Sequence, residues 1–308
     1  MHGRVRLVSI EPGTVLGPYR IIEQYRRGGM ATVYRAQHVK LARQVAVKVI
    51  RTSFLGDSDY SEYATRFRRE ALTVAQLRHP NILGIFNYGE ADGMPYLVTE
   101  FIDGGTLAER LGAPMPVDTV VRLLGPIAAA LDYAHGVGVL HRDVKPSNIL
   151  LWTNGTPVLG DFGIAKRTDN AAPLTRVGHF MGTPEYMSPE QALAVDVGPA
   201  TDQYALAVVA YEMLTGRVPY SGGTPVAVLM AHMQRPLPPP RSINPALLPA
   251  VEAVLLKALA KRPQERYSSV TAFTDALDQA NRVKRPSGPW FLRWLGSRGG
   301  SRRGAVSR

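Results

Sequence analysis

The chain has 308 residues, 45% hydrophobic and 20% charged, apolar material for about two compact units of ordinary domain size. It contains no cysteine, which excludes disulfides, thiolate-ligated zinc and a thiol nucleophile together. Of the formal net charge of +11, eight basic residues fall in 281–308 with no acid among them, and the +3 that remains does not mark a nucleic-acid-binding body.

No run approaches the roughly 18 apolar residues of a membrane span. The opening MHGRVRLVSIEPG lacks the apolar core and small-residue cleavage site of a secretory signal, so a cytoplasmic chain is expected. Residues 1–18 read as an N-terminal extension. Apolar and β-branched residues then cluster over 19–25, 31–37 and 44–50 between Gly-rich or charged turns, which predicts strands. Over 61–77, Tyr63, Phe67, Val74 and Leu77 recur at helical spacing, and His79-Pro80 ends that helix. Strands at 82–88 and 95–101 follow, joined by the turn Asp92-Gly93. Past Asp103-Gly104-Gly105 the periodicity turns helical, over 117–135, 201–215, 225–234, 249–260 and 270–281. A small sheet carrying one helix (19–103) and a larger, mainly helical unit (104–281) are predicted, an α+β fold of two lobes with a basic, flexible tail at 282–308.

The chemistry concentrates between 141 and 190. His141-Arg142-Asp143-Val144-Lys145-Pro146-Ser147-Asn148 packs a general-base candidate, a lysine two residues on and an amide five residues on into one loop before a strand at 149–151. That spacing is similar to the catalytic loop of protein kinases, in which the Asp accepts a hydroxyl proton and the Asn holds magnesium. Asp161-Phe162-Gly163 comes 18 residues after Asp143, past the turn Asn154-Gly155 and a strand at 157–159, and Ser188-Pro189-Glu190 closes the segment. Upstream, Val45-Ala46-Val47-Lys48 sets a lysine among small apolar residues on a strand. A buried ammonium is unfavourable alone, so Lys48 requires a phosphate or a carboxylate, and Glu70 on the following helix is the candidate.

Over about residues 19–280 the chain resembles the bacterial-type (eukaryotic-like) serine/threonine protein kinases. The resemblance implies a bilobal fold with ATP between the lobes, magnesium (or manganese in its place) beside the phosphates, and protein serine or threonine hydroxyls as acceptors. It implies that Asp143 is the base, that Lys145 supports the transferring group, that Lys48 paired with Glu70 holds the α- and β-phosphates, and that Asn148 and Asp161 bind the metal. Glu100 and Ile102 would contact adenine through their backbone, with Thr99 as the small gatekeeper behind them. Gly28, Gly29, Val33 and Ala46 complete the nucleotide set. Glu190 would pair with Arg266, Asp202 would anchor the catalytic loop, and Val74, Ile85, His141 and Phe162 would stack as a hydrophobic spine. Lys145 and Thr183 accompany Ser/Thr specificity in this family.

One stretch departs from the pattern. Aligned on Val33, the family's G-x-G-x-x-G-x-V becomes Arg26-Arg27-Gly28-Gly29-Met30-Ala31-Thr32-Val33. Glycines there let backbone amides approach phosphates; Arg26 either faces solvent or intrudes on the nucleotide, weakening its binding. Between Asp161 and Glu190, Thr175 is the expected regulatory phosphosite, with Arg142 as partner and Thr168 as second candidate. In the tail, 290–295 mixes aromatics with basic flanks, which suits weak contact with anionic lipid at the inner face of the membrane, whereas Gly296 onward reads as disordered. A homodimer stays open. A pseudokinase, a tail-recruited scaffold and a small-molecule phosphotransferase are the competing readings; retention of Lys48, Asp143, Asn148 and Asp161 argues against the first.

Overall fold

Alternating valines build the first lobe. In β4 (Gln44–Ile50), Val45, Val47 and Val49 are buried on one face, while Ala46 and Lys48 turn to the other, the period-two consequence of a pleated strand. The structure is a computed structural model and describes residues 10–28, 31–50, 57–91, 93–162, 183–195 and 197–282. Around β4 stand β1 (Val15–Leu16), β2 (Tyr19–Arg27), β3 (Ala31–His38), β5 (Ile85–Ala91) and β6 (Met94–Glu100), in an antiparallel sheet of order β1-β2-β3-β4-β6-β5. The valine face seals a core with Tyr34, Tyr96 and Val98. The other face takes helix α1 (Asp57–Val74), whose Phe67 and Ala71 pack on Ile50 and Leu97.

Three expectations shift here. Ile10 and Leu16 belong to the sheet's core, so residues before 19 contribute to this lobe. Helix α1 stops at Val74, short of 77; the chain tightens through Gln76 N–H to Thr73 O and Leu77 N–H to Val74 O, because Pro80 drives its predecessor out of helical space. Strand β5 begins at Ile85 because residues 81–83 pair elsewhere, Leu83 N–H donating to Leu159 O at 2.9 Å and Leu159 N–H to Asn81 O at 2.8 Å. Periodicity alone has no access to that choice of partner.

The second lobe comprises α2 (Val117–Gly136), β7 (Ile149–Leu151), β8 (Pro157–Leu159), α3 (Pro189–Ala192), α4 (Pro199–Thr215), α5 (Pro225–Gln234), α6 (Pro240–Ile243), α7 (Pro249–Ala258) and α8 (Val270–Arg282). Prolines at 189, 199, 225, 240 and 249 open five of the helices, at a position where the missing N–H would be unpaired anyway. Helix α4 is buried along nearly its whole length, Thr201, Asp202 and Gln203 included, the mark of a central helix. The Asp132 carboxylate on α2 caps α8 by accepting from Val270 and Thr271 N–H at 2.9 and 2.8 Å.

Residues 101–105 join the lobes. At Gly104 a Cβ would lie 2.4 Å from Leu151 O, so only glycine lets the linker press against β7. None of the described helices is long and apolar enough to cross a membrane.

Candidate active site

A cleft enclosing about 950 Å³ of empty space, open solvent at its mouth included, lies between the lobes. Val33 and Ala46 from the sheet and Leu150 from β7 give it apolar walls; Thr99, Glu100 and Ile102 line its back. Lys48, Asn148 and Asp161 reach it from three different elements. The turn that opens it is closed by Gly28 N–H donating to Ala31 O at 2.9 Å. Gly29 lies outside the described residues, as do Gly163, Thr168, Thr175 and the tail.

Lys48 Nζ is ion-paired with Asp161 Oδ1 at 2.6 Å, and Glu70 has interactions of its own. The half-buried ammonium is thus neutralised by the carboxylate across the cleft. Asp161 itself sits at φ +56° and Arg142 at φ +62°. Non-glycine residues in the left-handed region are strained, and such strain gathers at functional sites.

The loop after β-branched Val139 is held by hydrogen bonds from below. Asp202, 1% exposed on α4, accepts from His141 N–H at 2.8 Å, from Arg142 N–H at 2.7 Å and pairs with His135 Nε2 at 2.7 Å. The buried His141 ring bonds Gly160 O at 2.9 Å and packs at a 50° tilt against Phe162, 4.6 Å between centroids. Burial holds its pKa below the ordinary imidazole value, so the ring stays neutral. Phe162 in turn shares a core with Val74, against which Ile85 packs.

On this scaffold Asp143, Lys145 and Asn148 converge. Lys145 Nζ lies 3.0 Å from Asp143 Oδ2 and donates to Thr183 Oγ1 at 3.1 Å. Asn148 Nδ2 donates to Asp143 O at 2.8 Å and to its Oδ2 at 3.2 Å, which turns the amide oxygen to other partners. That oxygen and the Asp161 carboxylate are hard donors suited to magnesium or manganese. Among the described residues no cluster of three or more His, Cys, Asp or Glu forms a metal cage. Two oxygen donors beside an open cleft fit a cation that shares its coordination with phosphate and water.

Farther out, Glu190 and Arg266 form a bidentate buried pair at 2.8 and 2.9 Å. Burial would raise the Glu190 carboxyl, but the Arg266 guanidinium outweighs it and the pKa is lowered. Helix α3 also steadies the loop over 141–148, Gln191 Nε2 donating to Arg142 O at 3.0 Å.

The protein kinase domain family matches residues 19–280. The chain belongs to that family. It is 44% identical over 273 residues to the serine/threonine-protein kinase Pkn1 of Myxococcus xanthus, covering 87% of this chain and 39% of Pkn1. With the serine/threonine-protein kinase PknA of Mycobacterium tuberculosis identity is 39% over 284 residues, 90% of this chain and 64% of PknA. The chain thus spans less than two thirds of these relatives. Among solved structures, the Mycobacterium tuberculosis PknI kinase domain superposes with a TM-score of 0.69 at 30% identity, covering 89% of this chain and all of that one. PpkA-294 in its apo form does so with 0.73 at 27%, covering 87% and 99%.

The bilobal fold expected from the sequence is therefore shown. Among the kinase residues that sequence reading overlooked, Leu150 floors the cleft and Gln191, His135 and Tyr25 brace it. His135 had a signal, lying in the last turn of an apolar helix shortly before the loop. Leu150 had none, since any buried strand residue reads alike.

Proposed function

We propose that this chain transfers the γ-phosphoryl of ATP, held with magnesium, to serine or threonine hydroxyls of proteins. The observation that carries the reading is the convergence of Asp143, Lys145 and Thr183 on Asn148, which lines the cleft together with Lys48 and Asp161. Phosphoryl transfer asks a protein mainly for positioning and charge neutralisation. Bound beside Asn148 and Asp161, magnesium supplies neutralisation of phosphate charge. Lys48 serves the α- and β-phosphates, exchanging its carboxylate for them. Asp143 accepts the acceptor hydroxyl's proton while that oxygen bonds to the γ-phosphorus, the bond to the β,γ-bridging oxygen breaks, and ADP departs. Lys145, bridged to Thr183, ties the base to the segment that receives the protein substrate.

Regulation through phosphate on Thr175, with Arg142 as its partner, belongs to the same proposal. It is supported by the place of Arg142 directly before Asp143 and by its backbone, which Asp202 holds at 2.7 Å. The test is incubation with magnesium and ATP, read by intact mass and phosphopeptide mapping, beside Asp143→Asn. Loss of a general base lowers rates by about 10²–10⁴-fold, so the variant should stay unphosphorylated while the parent gains phosphate on threonine. Equal labelling of both, or none on the parent, would refute the assignment.

A further inference from the structure

At the mouth of the cleft an arginine of one lobe meets a glutamate of the other. The Arg26 guanidinium, on β2, hydrogen-bonds Glu109 Oε1 in the 3-10 turn Leu107–Arg110, 83 residues on. Both ends are anchored. Arg26 Cζ lies 5.8 Å from the centre of the Tyr25 ring, and Tyr25 packs edge-on against Phe101 of the linker at 5.0 Å. On the other side Thr106 Oγ1 donates to the same Glu109 oxygen at 3.0 Å. Gly105 makes room for the carboxylate: at φ +76°, a Cβ there would stand 2.4 Å from Glu109 Oε2. Arg26, Gly105 and Thr106 all line the cleft.

We infer that Arg26 and Glu109 form a clasp between the lobes that a nucleotide must open on its way in. This rests on the reading of the cleft as the nucleotide site. The side chains are 40% and 54% exposed, and exposed pairs of this kind shift an equilibrium by no more than about fivefold. The clasp is therefore a brake on access, too weak to be a lock. Its sign separates it from simple attraction. An arginine that only steers or binds the polyanion speeds association, so its removal would slow it; removing a clasp does the opposite.

The test is stopped-flow binding of N-methylanthraniloyl-ADP with magnesium. Arg26→Ala and Glu109→Gln should each raise the association rate about two- to fivefold, leaving dissociation unchanged. The charge-swapped Arg26→Glu with Glu109→Arg should return it to the native value. Slower association in Arg26→Ala, or a native rate in Glu109→Gln, would overturn the clasp while leaving the nucleotide site standing. Absence of binding by every form, the parent included, would overturn the nucleotide reading, and the clasp with it.

Discussion

Two arginine–glutamate pairs in this chain share their chemistry and differ in surroundings. Glu190 and Arg266 are 5% and 0% exposed; the guanidinium also donates to Ala200, Ala260 and Lys261 carbonyls, and Thr201 donates to Glu190. Arg26 and Glu109 face solvent at the cleft mouth. In the first pair every polar group is matched, so breaking it strands a charge away from water. In the second, water replaces whichever partner leaves. The comparison teaches that an ion pair's role is set by its desolvation: the buried pair holds the end of the segment in place, and the exposed one can open and close.

Arg266→Ala should break the contrast most severely, lowering stability by about 3–5 kcal/mol in urea unfolding. A loss below about 1 kcal/mol would place the two pairs in one class. A pH titration sharpens the same point on a neutral group. His232, fully buried on α5, bonds the Tyr204 hydroxyl at 2.9 Å, and the Arg266 guanidinium lies over the Tyr204 ring at 4.8 Å. Burial and then the Lys261 ammonium push its pKa from 6.5 down to about 4. The unfolded chain therefore binds the extra proton first, and stability should fall as pH drops from 6.5 towards 4, by on the order of 3 kcal/mol. His232→Asn should flatten that slope; an unchanged slope would assign it to other groups.

Tyr186→Phe comes next, removing the hydroxyl that donates to Glu212 at 2.6 Å beside the acceptor segment. It should reduce stability by about 1–3 kcal/mol, read from the shift in the unfolding midpoint. The smallest effect belongs to the exposed pair. Arg26→Gly should lower the Michaelis constant for ATP about two- to fivefold, and an unchanged or higher value would show that the arginine does not hinder the nucleotide.

Much of the site was legible because its residues are close in sequence. Asp143, Lys145 and Asn148 lie within one loop, and a lysine on an apolar strand is conspicuous because burial demands a partner. Which partner was not legible. The sequence offered Glu70 or a phosphate, and the structure sets Lys48 against Asp161 at 2.6 Å. The glycine-loop departure was visible as an oddity at Arg26, but its partner Glu109 lies in the other lobe and carries no motif.

By itself the amino-acid order determined the texture of both lobes, the valine alternation of β4, the proline-opened helices and the spacing of the catalytic loop, since each depends on neighbours within a few residues. Only the tertiary structure decided which strand takes residues 81–83, that Ile10 and Leu16 join the first lobe's core, and which charges face each other across the cleft. Those choices depend on distance and desolvation between groups far apart in the chain, and local periodicity records neither.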